Sequence, residues 1–280
     1  MIGMALAAVL LCVNLTSCDK DDDDSKEIYT TNNGGNAGKE DNDSNGDIEI
    51  IGKKLIKEER YVYYPYTGSW EKRNSTEFKY DADGYLIESC DKEWYHDWEE
   101  DLVKYIWNSD RSSFTRNWDG EYAKFTLNKG KINKAQFSED GETWECYGMY
   151  NKEYIKECGY VEDGSNEPML IFTWNNNGQL SKLDYWHSYT RSFSYDGKTC
   201  IGFFPAVNNF WGEDFSDYLF IMAQPELFGL RTTQLPSKMT DTYSNSTTTF
   251  EYDFDAEGYV IRCIETGEYT SPRYHEYTWE

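Results

Sequence analysis

The distribution of hydrophobic and polar positions divides the chain into three parts. Residues 1–13 are apolar and uncharged, residues 19–47 are mostly Asp, Asn, Gly, Ser and Lys, and from Ile48 to Glu280 aromatic or aliphatic residues alternate with polar ones. These patterns are typical of the core of a signal peptide, of a disordered linker and of β-strands with one wet face, respectively. We therefore expect a signal peptide over 1–17, a tether over 18–47 and one β domain over 48–280.

A hairpin motif recurs through the β domain. Its three full copies are Phe78–Leu86, Phe172–Leu180 and Tyr252–Val260, and each has two aromatics that end a strand, an Asp or Asn that opens a turn, and a Gly that closes it. Shorter versions occur at 118–122, 125–132 and 193–198. Serial hairpins predict an all-β, up-and-down antiparallel meander. Because long open sheets leave edges exposed, we expect this meander to curl or close into a soluble, barrel-like sheet.

One segment interrupts the strand pattern. Apolar residues from Phe215 to Met222 fall at helical spacing, Asp214 precedes them as a possible cap, and Pro225 follows. This spacing predicts one short amphipathic helix over residues 214–224.

The end of the apolar N-terminal run carries a candidate lipidation site. Leu15-Thr16-Ser17-Cys18 resembles the lipobox of bacterial lipoproteins, in which the cysteine is acylated and becomes the mature N-terminus. An ordinary secretory signal with a chance cysteine is the alternative. Residues 1–5 lack the Lys or Arg that usually begins a signal peptide, so we expect the true start to lie upstream. The apolar run is also too short to span a bilayer.

An acidic run, Asp19–Lys26, follows the candidate lipidation site directly. It resembles the signal that sends lipoproteins of Bacteroides-type bacteria to the outer face of the outer membrane. The alternatives are a solvated run that extends the tether, an enterobacterial inner-membrane retention signal and a synthetic epitope tag. We favour the first interpretation and expect a lipid-anchored protein of the outer membrane, exposed at the cell surface.

Composition limits which partners we expect the protein to bind and which kind of barrel, soluble or membrane-spanning, we expect it to form. A net charge of −24 argues against nucleic acid and anionic lipid surfaces as partners. Aromatic residues make up 17% of the chain, with 24 Tyr and 10 Trp. A membrane-spanning barrel is the rival to a soluble one, but its lipid-facing band is mainly aliphatic, with aromatics confined to girdles. The aromatics here occur throughout the chain, which favours the soluble form.

Together these motifs resemble a known family. The lipobox, the acidic tether, the Asp-x-x-Gly hairpins, the segment Phe228–Lys238 and the closing Tyr277-Thr278-Trp279 are similar to those of uncharacterised Bacteroides surface lipoproteins. Those proteins carry a domain of unknown function that is described as porin-like in fold. The resemblance implies a β-barrel and a lipid anchor, and it transfers no activity to any residue.

Two of the cysteines are predicted to pair. The segments 144–150 and 154–160 look like adjacent strands, and a turn centred on Lys152 would place Cys146 directly opposite Cys158. Export makes a disulfide between them permissible. A two-residue turn would shift the register and separate the sulfurs. After removal of Cys12 and lipidation of Cys18 five cysteines remain, so at least one thiol stays free in a monomer.

The sequence contains no recognisable catalytic motif. His96, His187 and His275 each lie among aromatics and are more simply explained as sheet residues than as metal ligands. Carboxylates are so numerous that a pair at glycosidase spacing would arise by chance. We therefore predict a non-enzymatic protein, with no catalytic residue, no metal site and no cofactor.

Aromatic residues are the remaining candidates for binding. Their planar faces, with polar neighbours, could contact a sugar, although packing within the sheet is the simpler explanation. The candidates are Trp94, Tyr95, Trp98, Trp118, Trp186 and Trp211. The leading hypothesis is a surface lipoprotein that binds a ligand, such as a glycan, or a protein partner. A structural role in the cell envelope comes second, and a carbohydrate-active enzyme third. Exposed aromatics in a groove would favour binding, whereas a filled interior and a flat polar exterior would favour the structural role.

Overall fold

The computed structural model describes residues 52–93, 99–152, 154–185, 188–201, 223–229, 233–268 and 270–280. All of these residues belong to one compact unit, residues 43–280. Within these ranges the chain forms one 3-10 helix, Pro225–Phe228, and sixteen strands. The strands are β1 Leu55–Tyr64, β2 Ser69–Tyr80, β3 Leu86–Glu93, β4 Glu99–Trp107, β5 Ser113–Trp118, β6 Glu121–Asn128, β7 Lys131–Glu139, β8 Glu142–Asn151, β9 Tyr154–Glu162, β10 Ser165–Trp174, β11 Leu180–Tyr185, β12 Tyr189–Thr199, β13 Gln234–Asp241, β14 Ser246–Phe254, β15 Val260–Gly267 and β16 Arg273–Trp279.

The sheet is an antiparallel meander that closes on itself. Each strand pairs with the next in sequence, and β1 pairs with β16, with Leu55 opposite Trp279. The predicted meander is therefore confirmed, as is its closure. Lys54 and Glu280 exchange two backbone hydrogen bonds beside this seam. We call the rim where odd-numbered strands begin, which includes Leu55, the terminal end. The opposite rim, which includes the turn between β1 and β2, is called the hairpin end, although turns lie at both rims.

Apolar side chains make up most of the barrel interior, and buried polar residues that include Glu58, Asp91, Glu265 and His275 make up the rest. In β6, Ala123, Phe125 and Leu127 are buried, while Lys124 and Thr126 alternate with them and are exposed. The buried residues of successive strands join one hydrophobic cluster. A mainly apolar interior under a polar outer face is the reverse of the pattern in barrels that face lipid. No helix in the described ranges is long and apolar enough to cross a membrane.

Aromatic residues fasten the hairpins together at the terminal end. The indole N–H of Trp174 donates to the Ile155 carbonyl at 2.7 Å, so the last residue of β10 bonds the start of β9. The same arrangement recurs around the rim, in the pairs Tyr80 to Leu55, Trp107 to Leu86, Tyr150 to Ile132, Tyr195 to Leu180, Tyr252 to Pro236 and Trp279 to Val260. Each aromatic thus buries its ring and satisfies its polar tip.

The predicted turns form as the motif requires. Asp81 Oδ1 accepts hydrogen bonds from the backbone N–H groups of Asp83 and Tyr85, and Gly84 has a φ of 83°. Asn175 and Asp255 make equivalent bonds in the other two full copies. An Asx turn followed by a glycine with positive φ therefore sets these three hairpins.

A buried segment packs at the terminal end. Leu227 and Phe228 belong to the core, and the Gln224 side chain accepts a hydrogen bond from the Leu86 N–H at 3.1 Å. The predicted helix over 214–224 lies outside the described residues except for Ala223 and Gln224, which directly precede the 3-10 helix.

The predicted opposition of Cys146 and Cys158 is wrong. Cys146 pairs with Tyr160 and Cys158 pairs with Gly148, because Asn151 pairs with Tyr154 and a bulge follows at Met149/Tyr150. The two cysteines are therefore offset by two residues, and both are free and buried. Burial raises the pKa of the Cys146 thiol to about 12.

Candidate functional site

Of the six aromatic candidates from the sequence, the structure describes Trp118 alone. It is partly buried against the core, with the Arg116 guanidinium 4.1 Å from its ring centroid. This packing agrees with the simpler, structural explanation for Trp118. The other five, Trp94, Tyr95, Trp98, Trp186 and Trp211, lie outside the described residues, as does Cys18.

A pocket of about 370 Å³ lies near the hairpin end, across β10, β11, β12 and β13. Pro168, Ile171, Tyr185 and Tyr189 supply apolar surface to its lining. The Tyr185 and Tyr189 rings stack with centroids 4.2 Å apart, and the exposed Tyr243 ring lies 5.7 Å from Tyr189. Because side chains alternate along a strand, the paired Tyr185 and Tyr189 rings lie on the inner face of the sheet, and Ile171, Asp184 and Thr190 lie on its outer face.

Polar groups from four positions complete the lining: Asp184, Ser188, Thr190 and Thr242. The Thr190 hydroxyl donates to Asp184 Oδ1 at 2.6 Å, and Lys182 Nζ lies 2.7 Å from the same oxygen. Although burial acts to raise it, the pKa of Asp184 is lowered, because Lys182 and Thr190 stabilise the carboxylate. Asp184 is therefore an ionised acceptor at neutral pH.

The floor of the pocket is held rigidly from inside the barrel. Arg191 Nη1 donates to the Tyr185 hydroxyl at 2.8 Å, and Arg191 Nε donates to Asp241 at 2.9 Å. The Thr190 N–H donates to the Thr242 hydroxyl at 2.8 Å, which ties β12 to the end of β13. These bonds join three strands, so the backbone around the pocket is preorganised.

The sequence pointed to this region through Trp186, which stands between two lining residues, Tyr185 and Ser188. It did not identify Asp184, Tyr189 or Thr190. Alternation within β11 and β12 was visible, but the register that places Asp184 opposite Thr190 depends on the hairpin between them.

A second group of aromatics lies on the outer face of the barrel at the closing seam. This outer aromatic cluster consists of Tyr61, Tyr63, Trp70 and Tyr274, from β1, β2 and β16. Tyr61 and Tyr274 stack with centroids 4.4 Å apart, the Trp70 ring meets Tyr274 edge-on at 4.7 Å, and Tyr63 lies 5.3 Å from Trp70. Trp70 is 41% exposed.

Beneath the same seam, the interior holds a histidine between two carboxylates. His275 Nδ1 lies 2.6 Å from Glu58 Oε1, and His275 Nε2 lies 3.4 Å from Glu265 Oε1. All three residues are at most 3% exposed. Burial acts to lower the pKa of His275, but hydrogen bonds and charge attraction from Glu265 and Glu58 raise it to about 9. The imidazole is therefore cationic at neutral pH.

Asp91 is a further buried carboxylate on the same side of the barrel. It accepts a hydrogen bond from the Thr76 hydroxyl at 2.7 Å, and burial raises its pKa to about 6. Among the described residues, no group of three His, Cys, Asp or Glu side chains is arranged so that it could hold a metal ion.

Known proteins give a fold but no family for this chain. No family model and no curated protein matches it. A crystal structure of a porin-like protein from Bacteroides uniformis matches with a TM-score of 0.64 and 16% identity, over 81% of this chain and 96% of that one. A second, from Bacteroides vulgatus, matches with a TM-score of 0.49 and 14% identity, over 82% and 99%. The chain therefore shares the barrel fold of the B. uniformis porin-like protein.

Proposed function

We propose that this protein is a lipoprotein of the bacterial cell surface, anchored to the outer membrane through Cys18, and that it binds a saccharide without chemical change. The binding site is the pocket formed by β10, β11, β12 and β13. The observation that carries the proposal is the combination, in one concave site, of the apolar residues Pro168 and Ile171 with an ionised carboxylate and three hydroxyl side chains.

That combination matches the chemistry of a sugar. One face of a pyranose ring is made of C–H groups and packs on an apolar side chain, while its hydroxyls need acceptors and donors at the edge. Ile171, which pairs with Asp184 and shares its face of the sheet, offers the apolar surface, Asp184 accepts hydroxyl protons, and Thr190 and Thr242 offer hydroxyl groups. A negative protein with an ionised carboxylate in the pocket favours neutral sugars over uronic acids.

Anchoring and location rest on the sequence and on the fold. Leu15-Thr16-Ser17-Cys18 supplies the acylation motif, and Asp19–Lys26 resembles the surface export signal. The shared fold with a Bacteroides porin-like protein agrees with an envelope protein. The polar outer face of the barrel suits a domain held beside the membrane by its lipid rather than embedded in it.

A binding role without catalysis is supported by where the charged groups lie. Glu58 and Glu265, which flank His275, are the carboxylates that most resemble a general acid or base. Both are buried out of reach of a substrate. In the pocket, Lys182 and Thr190 lower the pKa of Asp184, which makes this carboxylate a hydrogen-bond acceptor rather than a general acid.

Isothermal titration of the mature lipoprotein in mild detergent against neutral oligosaccharides tests the proposal. The probes are fragments of glucan, xylan, mannan and galactan, and we expect at least one to bind. Asp184→Asn should weaken that binding by about 10- to 150-fold, because a hydrogen bond to a charged acceptor contributes about 1.5–3 kcal/mol.

The matched control is Asp196→Asn on β12, since Asp196 is also paired with a lysine, Lys198, but does not line the pocket. It should leave the affinity unchanged. Absence of binding to every fragment, or equal affinity of Asp184→Asn and the parent, would contradict the assignment.

A structural role in the envelope is the second candidate. It is favoured by an interior that is made up mostly of apolar side chains under a polar outer face. A protein that binds no fragment but co-purifies in a fixed ratio with one envelope protein after cross-linking would support this role instead.

A further inference from the structure

The pocket belongs to a longer row of outward-facing side chains that crosses five strands. From β8 to β12, the residues paired along this row are Met149, Glu157, Ile171, Asp184 and Thr190. The last three line the pocket, whereas Glu157 lies just beyond it, on the other side of Ile171. Glu157 precedes the buried Cys158, so its own side chain points outward.

Each of the two carboxylates beside Ile171 is held by one hydroxyl group. The Tyr147 hydroxyl donates to Glu157 Oε1 at 2.7 Å, as the Thr190 hydroxyl donates to Asp184 Oδ1. Burial first and the bond to Glu157 second raise the pKa of Tyr147, so its hydroxyl keeps the proton that it donates. Among the described residues, no hydrogen bond or ion pair reaches the second oxygen of either carboxylate.

The two carboxylates stand one strand to either side of Ile171. Adjacent strands lie about 4.8 Å apart, so the backbones of Glu157 and Asp184 are about 10 Å apart. Two O–H···O hydrogen bonds of about 2.7 Å each leave about 5 Å between the hydroxyl oxygens of a ligand held by both carboxylates. That separation suits a single pyranose ring with hydroxyls on opposite edges. The aliphatic side chain of Ile171 lies between the carboxylates, where the C–H face of such a ring would pack.

We propose that Glu157 is a second specificity-determining residue of the saccharide site. One pyranose ring lies on Ile171 and donates a hydroxyl proton to Asp184 from one edge and to Glu157 from the other. This inference rests on the proposed function and extends its site by one strand. Acceptors on both sides select a ring that carries hydroxyl donors on both edges, and they reject a ring with an acid group on either edge.

Isothermal titration of the mature lipoprotein in mild detergent tests this contact, with the shortest glucan, xylan, mannan or galactan fragment that binds as the probe. Glu157→Gln should weaken binding by about 10- to 150-fold, as Asp184→Asn should, because each removes a charged acceptor. Glu157→Ala should weaken it at least as much. Tyr147→Phe keeps the carboxylate and removes the bond that orients it, so it should weaken binding about two- to tenfold. An unchanged melting temperature of Glu157→Gln shows that this variant folds.

The matched control is Glu145→Gln, because Glu145 on β8 also lies on the outer face but pairs with Lys134, outside the row. It should leave the affinity unchanged. Equal affinity of Glu157→Gln and the parent, with weakened binding by Asp184→Asn, would overturn the role of Glu157 and leave the pocket as the binding site. Weakened binding of longer fragments alone would overturn the contact of both carboxylates with one ring. Binding of no fragment would overturn the proposed function and this inference together.

Discussion

At the residue scale, the buried triad of Glu58, His275 and Glu265 explains how the first and last strands are held together. His275 on β16 bonds Glu58 on β1 across the seam and faces Glu265 on β15. Removing one member of a buried charge network leaves the others without compensation. We expect His275→Gln to lower the free energy of unfolding by about 3–5 kcal/mol, measured by denaturant titration at pH 7. Lys79→Gln, which breaks an exposed pair with Glu88, should change it by less than about 1 kcal/mol.

The same triad sets a dependence of stability on pH. Because the pKa of His275 is raised from the ordinary 6.5 to about 9, the folded state binds this proton more tightly than the unfolded state. The stabilisation is complete below about pH 6.5 and is lost as the pH rises through about 9. Urea titrations from pH 6 to pH 10 should show a larger loss in the parent than in His275→Gln, because the buried thiols of Cys146 and Cys200, whose pKa values are raised to about 12, lower the stability of both proteins above about pH 9. A parent protein with constant stability over that range would contradict the assignment.

The sequence could not identify this triad. Glu58, Glu265 and His275 are separated by up to 217 positions, and they meet only because β1 and β16 pair. His275 looked like an ordinary strand residue beside Tyr274, and no local pattern distinguishes a buried carboxylate from the many exposed ones in so acidic a chain.

At the scale of the element, the hairpin is the repeating unit and an aromatic at its end fastens it. Tyr252 on β14 donates its hydroxyl proton to the Pro236 carbonyl on β13 at 2.7 Å, and its ring is buried. Tyr252→Phe keeps the ring and removes the bond, so it should lower the free energy of unfolding by about 1 kcal/mol.

Tyr277 on β16 provides the matched control. It is also buried, but its hydroxyl has no hydrogen-bond partner among the described residues. Tyr277→Phe should therefore leave stability unchanged or raise it, since an unsatisfied buried hydroxyl is costly. Thermal melts of the two variants compare them directly, and an equal loss in both would show that the Tyr252 bond contributes nothing.

The hairpins themselves were predictable because their chemistry is local. Two aromatics on one face, an Asp or Asn and a Gly are enough to define a strand end and a turn at 78–86 and 172–180. Register was less predictable, as β8 and β9 show. The pairing of Asn151 with Tyr154 and the bulge at Met149/Tyr150 each shift the register by one residue, so Cys158 lies opposite Gly148, and nothing in the residues themselves marks that bulge.

At the scale of the whole molecule, the sequence predicted a meander that curls or closes, and the structure shows closure through β1 and β16. The pocket could not be predicted, since it combines residues 74 positions apart, from Pro168 to Thr242. The lipid anchor and the cellular location, by contrast, are inferred from a short linear motif that needs no fold to be recognised.

The N-terminal motif predicts a lipid anchor on Cys18 and a location at the cell surface. Mass spectrometry of the mature protein should find an acylated Cys18 at its N-terminus, because Leu15-Thr16-Ser17 precedes it. Protease added to whole cells should degrade the protein, and replacing residues 21–24 with alanine should protect it. An unmodified N-terminus elsewhere would contradict the anchor, and unchanged accessibility of the alanine variant would contradict the export signal.

The most direct test of saccharide binding is a crystal structure of the protein with the neutral oligosaccharide that binds most tightly in titration. The account predicts a pyranose ring against Ile171 in the pocket near the hairpin end, with a sugar hydroxyl donating to Asp184. An oligosaccharide bound elsewhere on the barrel, with the pocket unoccupied and Asp184 bonded to Lys182 and Thr190 alone, would contradict it.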